Sequence, residues 1–288
     1  MKQVTIISGK GGTGKTSLTA AFAHLTEDVV LADCDVDAAD LHLIAKPEVR
    51  KTRGFHGLNV AEIDDETCTQ CRLCVSACEF DAIAEDISIK YDACEGCGVC
   101  AYVCPVDAIS MVQRDSGLVF ESVSRFGPMV HATLHTAEEA SGKLVTEVRN
   151  QAEDLARLKK KSLVLIDGPP GVGCPVIAAI TGVDLVVVVT EPTFSGIHDL
   201  QRVVEVAAHF GIPQAVIINK SDINSEKTKE IKRFCETKRI PLLGSIPYDE
   251  LVTKAMIAEK AITEFDDGMV SSSVNQCYNE LSLLLKQK

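Results

Sequence analysis

The sequence predicts an α/β protein, a doubly wound and mostly parallel sheet with helices on both faces, interrupted by a small inserted α+β segment. Three observations predict it. Apolar runs at Gln3–Ser8, Val29–Ala32, Leu163–Ile166 and Ala215–Ile218 have the length and composition of buried parallel strands. The first of them runs directly into a glycine-rich loop and then an apolar-periodic segment. Between that loop and the later strands lie eight cysteines, in two copies of C-x2-C-x2-C-x3-C.

The loop is GKGGTGKTS, and the segment after it carries Leu18, Ala21, Phe22 and Leu25 at helical spacing. Strand, loop and helix in that order make a phosphate-binding P-loop, with Gly9, Gly14, Lys15 and Thr16 at its fixed positions. Glycines let backbone N–H groups wrap phosphate oxygens, so Gly11, Gly12, Thr13, Gly14, Lys15, Thr16 and Ser17 are the expected nucleotide contacts. Lys15 reaches the β- and γ-oxygens and the Thr16 hydroxyl ligates Mg²⁺. The additional lysine, Lys10, resembles the deviant Walker A loop of the MinD-like ATPases. That resemblance implies that Lys10 reaches the nucleotide of a partner subunit, as an arginine finger does in trans, and hence that the protein is a homodimer. It also implies a role for Asp35 in DCDVDAADLHL, which would orient the attacking water, with Asp33 as its structural neighbour.

The cysteine runs are Cys68, Cys71, Cys74, Cys78 and Cys94, Cys97, Cys100, Cys104, an internal repeat in which each thiol of the first run has its counterpart in the second. The repeat extends past the thiols, since CEFDAI at 78–83 matches CPVDAI at 104–109. Zinc and disulfides are the alternatives to iron–sulfur, but neither habitually uses two runs of four cysteines at this spacing. The duplication resembles a bacterial two-cluster ferredoxin, although Glu79 stands where proline follows the last cysteine, as Pro105 does in the second run. The resemblance implies two [4Fe–4S] clusters, one on Cys68, Cys71, Cys74 and Cys104, the other on Cys94, Cys97, Cys100 and Cys78. The expected organisation is therefore a P-loop ATPase domain at 1–61 and 113–288 around an inserted bacterial-type ferredoxin domain at 62–112.

Farther along, the strand Leu163–Ile166 ends in Asp167 and GPPGVGCP, which reads as Walker B with Asp167 holding Mg²⁺ through water, followed by a switch loop at 168–175. Cys174 in that loop reads as a buried free thiol, and His131 and His135 as structural residues sharing a helix face. Strand Ala215–Ile218 delivers NKSD, in which the resemblance gives Asn219 the adenine of ATP, while a guanine reader would use Asp222. The loop GSIPYD at 244–249 closes over the base in the same family. The last helix, with Val274, Tyr278, Leu281 and Leu285 on one side and only Lys286 and Lys288 as basic charge, is expected to pack on the domain rather than on a bilayer.

At 288 residues and 46% hydrophobic, the chain can bury a full core. No leader or membrane span is evident, so a cytoplasmic protein with reduced thiols is expected. Residues 62–112 hold eleven acidic side chains against Arg72 and Lys90, a net of −9 out of −12 for the whole chain. That distribution offers nothing to nucleic acid and would steer a basic protein partner. The expected activity is Mg²⁺-ATP hydrolysis on a dimer, coupled to electron transfer from the two clusters to a redox partner. The alternatives are an assembly or carrier ATPase that serves an apo iron–sulfur protein, and a positioning or partition ATPase with a redox-sensing module.

Overall fold

The computed structural model describes residues 1–36, 38–135 and 141–286. Lys288 lies outside the described residues. In chain order the elements are β1 (Lys2–Ser8), α1 (Lys15–His24), β2 (Val29–Asp33), α2 (Leu41–Ala45), β3 (Glu48–Ile63), α3 (Leu73–Ala77), α4 (Val99–Tyr102), β4 (Ile109–Ser124) and β5 (Gly127–Leu134). There follow α5 (Ser141–Lys159), β6 (Leu163–Pro170), α6 (Cys174–Ile180), β7 (Leu185–Thr190), α7 (Phe194–His209), β8 (Gln214–Ile218), α8 (Ser225–Lys238), β9 (Leu242–Ser245), α9 (Glu250–Ile257), α10 (Ile262–Phe265) and α11 (Met269–Lys286).

Among the described residues nine strands form one sheet in the order β3-β4-β5-β2-β6-β1-β7-β8-β9, and the pairs from β5 through β9 are parallel. Strand β1 is central, flanked by β6 and β7, so chain order reverses around it. In an open α/β sheet a ligand crevice forms outside the carboxyl ends of the strands at such a switch point. Strand β1 reads VTIIS with every position buried because both faces are covered. One face packs Leu18, Ala21 and Phe22 of α1 and Val274, Cys277 and Leu281 of α11 against Val4, Ile6, Leu31, Leu165 and Val187. The Phe22 and Tyr278 rings meet at 5.6 Å between centroids, so α11 lies on the domain as its periodicity predicts. Helices α5, α6 and α7 cover the opposite face. No helix among the described residues is long and apolar enough to cross a membrane.

Helix starts at the carboxyl edge are capped by the sequence itself. Thr193, Asn224 and Asp249 each accept an N–H bond of 2.9–3.0 Å from the first turn of α7, α8 and α9.

The chain divides into two compact units, residues 1–52, 119–133 and 141–288 in the first, and 53–118 with 134–140 in the second. The second is wider than the expected 62–112 segment because β3 and β4, each 16 residues long, cross the boundaries. A cluster of its core is Ala61, Cys74, Ile83 and Ile109, with Cys78, Cys94, Cys100 and Cys104 among the side chains packed around them. The duplication recurs in the backbone. Gln70, Arg72 and Asp81 adopt left-handed φ of 55°, 61° and 51°, and their counterparts in the repeat, Gly96, Gly98 and Asp107, adopt 67°, 75° and 52°.

His131 lies in a strand, β5, rather than on a helix. It stacks on Phe120 at 5.0 Å and bonds Ser122 at 3.0 Å, and burial lowers its pKa to about 4.

Candidate functional site: a phosphate-binding crevice and two cysteine cavities

Four strand ends build the crevice of the first unit. Strand β1 delivers the P-loop, β2 delivers Asp33 and then Asp35, β6 delivers Asp167, and β8 delivers Asn219. Gly11, Gly12, Gly14, Lys15, Thr16, Ser17, Asp35 and Asn219 line one open cavity, closed on its far side by Pro247, Tyr248 and Asp249 and by Val252 and Met256 of α9. Gly14 turns the chain into α1 at φ 93°, and a Cβ there would lie 2.5 Å from Nδ2 of Asn219. An L side chain costs about 1–2 kcal/mol in that backbone region even without the collision. Free N–H groups and the positive end of α1 then face the cavity.

Lys15 is 5% exposed, and its Nζ stands 3.8 Å from Oδ2 of Asp35. Asp35 thus partners a buried ammonium that a phosphate would otherwise claim. Asp167 sits behind this layer, 1% exposed, with Thr19 Oγ1 donating to it at 3.1 Å. Asp33 and Asp167 are register partners on adjacent parallel strands, which explains their electrostatics. Burial and the facing carboxylate raise Asp33 well above the ordinary carboxylate range, and burial raises Asp167 from 3.8 to about 6 despite Thr16 and Lys15. The second oxygens of both Asp33 and Asp167 are buried without a hydrogen-bond partner. Buried carboxylate oxygens without a partner are hard donors of the kind that suits a divalent cation such as Mg²⁺.

A carboxylate whose folded pKa is raised destabilises the fold above that pKa, and the cost disappears as pH falls toward the unfolded value. Asp167→Asn is therefore expected to stabilise the nucleotide-free protein at pH 7 by about 1–3 kcal/mol, an advantage that vanishes toward pH 4. Thermal unfolding across that pH range checks it, and a lower Tm than the unsubstituted protein at pH 7 contradicts it.

The other expected residues are placed less simply. Lys10 forms an ion pair with Glu191 and its Nζ stands 3.3 Å from Ser195 Oγ. Glu191 also receives Lys220 at 3.1 Å, and Lys220 reaches the Gly12 carbonyl at 3.2 Å. The sequence offered no signal for Glu191, an acid just past a buried strand with no motif around it. Asn219 lines the cavity, yet its Nδ2 donates to the Thr13 carbonyl at 2.7 Å and its Oδ1 accepts from the Lys220 amide at 2.9 Å. It braces the P-loop in this state. Asp222 accepts from the Tyr248 amide at 2.7 Å and so pins the 247–249 loop. Cys174 is exposed, not buried as expected, because it opens the first turn of α6 after Gly173. Cys34, Cys235 and Cys277 are buried.

In the second unit Cys68, Cys71, Cys74 and Cys104 line one small cavity. Cys78, Cys94, Cys97 and Cys100 line another. Each set is three thiols of one run and the last thiol of the other. Gly96 lets the second run close up: at φ 67°, its Cβ would fall 2.1 Å from the Asn59 carbonyl oxygen. Among the described residues no group of three or more His, Cys, Asp or Glu side chains is placed to hold a metal ion.

The profile of the CobQ/CobB/MinD/ParA nucleotide-binding domain matches residues 4–262. The chain belongs to this family. It is 36% identical over 282 residues to the uncharacterized protein MJ0578 of Methanocaldococcus jannaschii, covering 97% of this chain and 96% of that one. It is 26% identical over 256 residues to a putative septum site-determining protein MinD of Mesostigma viride, with 86% and 71% covered. Among solved structures, the MinD of Pyrococcus horikoshii OT3 complexed with Mg-ADP superposes with a TM-score of 0.62 at 18% identity, over 99% of this chain and 97% of that one. As a member of this family the chain is a MinD/ParA-like nucleotide-binding protein on an α/β P-loop scaffold.

Proposed function

We propose that this protein is a cytoplasmic Mg²⁺-dependent ATPase that carries two [4Fe–4S] clusters and couples nucleotide turnover on a homodimer to electron delivery to a protein partner. The observation that carries the reading is the sorting of eight cysteines into two cavities, each with three thiols of one run and the fourth of the other. That is the ligand plan of two-cluster ferredoxins, and Cys78, Cys94, Cys100 and Cys104 pack around a core cluster of the second unit, where bound clusters would act as staples. Each cluster, when bound, supplies a one-electron carrier.

The residues divide the work. Lys15 and the P-loop amides hold the β- and γ-phosphates, Thr16 with Asp167 behind it holds Mg²⁺, and Asp35 orients the attacking water. Lys10 belongs to the partner's nucleotide in the dimer, and Glu191 retains it until then. The acidic second unit, net −9 over residues 62–112, attracts a basic redox partner. A second reading, a positioning or partition ATPase with a redox-sensing module, has in its favour that the MinD structure matches nearly the whole chain.

Iron retention tests the proposal. Protein purified anaerobically should hold about eight irons through many turnovers with MgATP and a chelator present. Loss of iron only during hydrolysis would replace electron delivery by cluster transfer to an apo-protein, and absence of iron and acid-labile sulfide would refute the cluster reading.

A further inference from the structure

The two cysteine cavities share a ligand plan but not their walls, and the internal repeat allows comparison position by position. Arg72 lines the cavity of Cys68, Cys71, Cys74 and Cys104, where the second run has Gly98. Conversely, Glu95 lines the cavity of Cys78, Cys94, Cys97 and Cys100, where the first run has Thr69. A cation thus stands at one cavity and an anion at the other. Arg72 shares its charge with Glu85 at 3.3 Å, an exposed pair whose acid lies outside the cavity wall. A third difference has the same sign. The Ala108 amide donates to Cys104 Sγ at 3.3 Å, and among the described residues Ala82, its counterpart, makes no such bond to Cys78.

Adding an electron to a thiolate-bound cluster adds negative charge, so a nearby cation or an N–H···S bond favours reduction and a nearby anion opposes it. We propose that Arg72, Glu95 and the Ala108 amide set the two centres apart in potential, so that the Cys68/Cys71/Cys74/Cys104 centre takes the first electron and the Cys78/Cys94/Cys97/Cys100 centre is the stronger reductant. This rests on the cluster reading given above. One electron from a low-potential one-electron donor, or passed on from the reduced second centre, leaves the first centre reduced and the second oxidised, with no proton or bond change. The chain has a downhill direction across the module, toward the thiols of the first run.

The test is a reductive titration of the anaerobic holoprotein with dithionite, followed by electron paramagnetic resonance, after iron and sulfide analysis. Analysis that finds no iron and sulfide sinks the cluster reading and this inference with it. With both clusters present, two one-electron steps are expected, separated at least tenfold in their reduction equilibria, which is about 59 mV. Arg72→Gly should lower only the higher step and Glu95→Thr should raise only the lower one. A single unresolved step, or a shift of the lower step by Arg72→Gly, overturns the inference. Each substitution installs the residue the repeat already carries at the matching position, and glycine relieves the left-handed φ of 61° at position 72, so both variants should keep their iron.

Discussion

Lys15→Ala is expected to abolish ATP hydrolysis, by at least about 10³-fold in kcat/KM, and to weaken nucleotide binding. Removing one preorganised charge from the site of phosphoryl transfer commonly costs 10²–10³-fold, and Lys15 is both the buried cation of the P-loop and the partner of Asp35. The substitution has a second consequence that depends only on electrostatics. Asp33, Asp35 and Asp167 crowd the ends of β2 and β6, and Lys15 lowers the pKa of Asp167 by its charge. Without it the carboxylates repel one another unrelieved, so the nucleotide-free variant should unfold at lower temperature than the unsubstituted protein at pH 7 and recover at pH 5. Steady-state hydrolysis, nucleotide titration and thermal melts together check the assignment. Turnover within tenfold of the original would remove Lys15 from the catalytic set.

Cys97→Ala is expected to halve the iron content, from about eight to about four per chain, while basal ATP hydrolysis stays within about twofold of the original. Cys97 lines only the cavity of Cys78, Cys94 and Cys100, and the crevice of Lys15, Asp35 and Asn219 is lined by residues of the first unit alone. The surviving iron should belong to the Cys68 set, so its paramagnetic signal should match the higher-potential step of the unsubstituted protein. Loss of all eight irons with hydrolysis intact would mean that the module cannot stand on one cluster. Loss of nucleotide binding would mean that the two units are not separate modules.

Sequence alone made much of this protein legible, because its chemistry sits where local rules are strict. A P-loop needs glycine where φ is positive, a buried parallel strand needs an unbroken apolar run, and a duplicated segment repeats its thiols at fixed offsets. Hence Gly14, β1 and the eight cysteines could be read directly, and so could Asp35 after β2 and Asp167 in β6. Other features depend on long-range contacts that leave no local pattern. Glu191, just past β7, meets Lys10 of the P-loop, and Asn219, just past β8, bonds Thr13 of the same loop. The start of β3 is silent for a related reason: its first residues, Glu48–Gly54, are exposed and mostly charged, and carry no strand signal of burial. Cys174 was expected to be buried on composition alone, whereas exposure is decided by its place at the start of α6.

The crossed sorting of the cysteines imposes an order on biosynthesis. As the chain leaves the ribosome, the first run emerges whole, yet its cavity has no fourth wall until Cys104, the last thiol of the second run, has followed. The cavity that borrows Cys78 is completed sooner, at Cys100, although most of its thiols are made later. Neither half of the repeat closes a cavity by itself, so a nascent chain halted between the runs holds four thiols and no finished pocket. Both cavities therefore close at the end of the second run, at Cys100 and then Cys104.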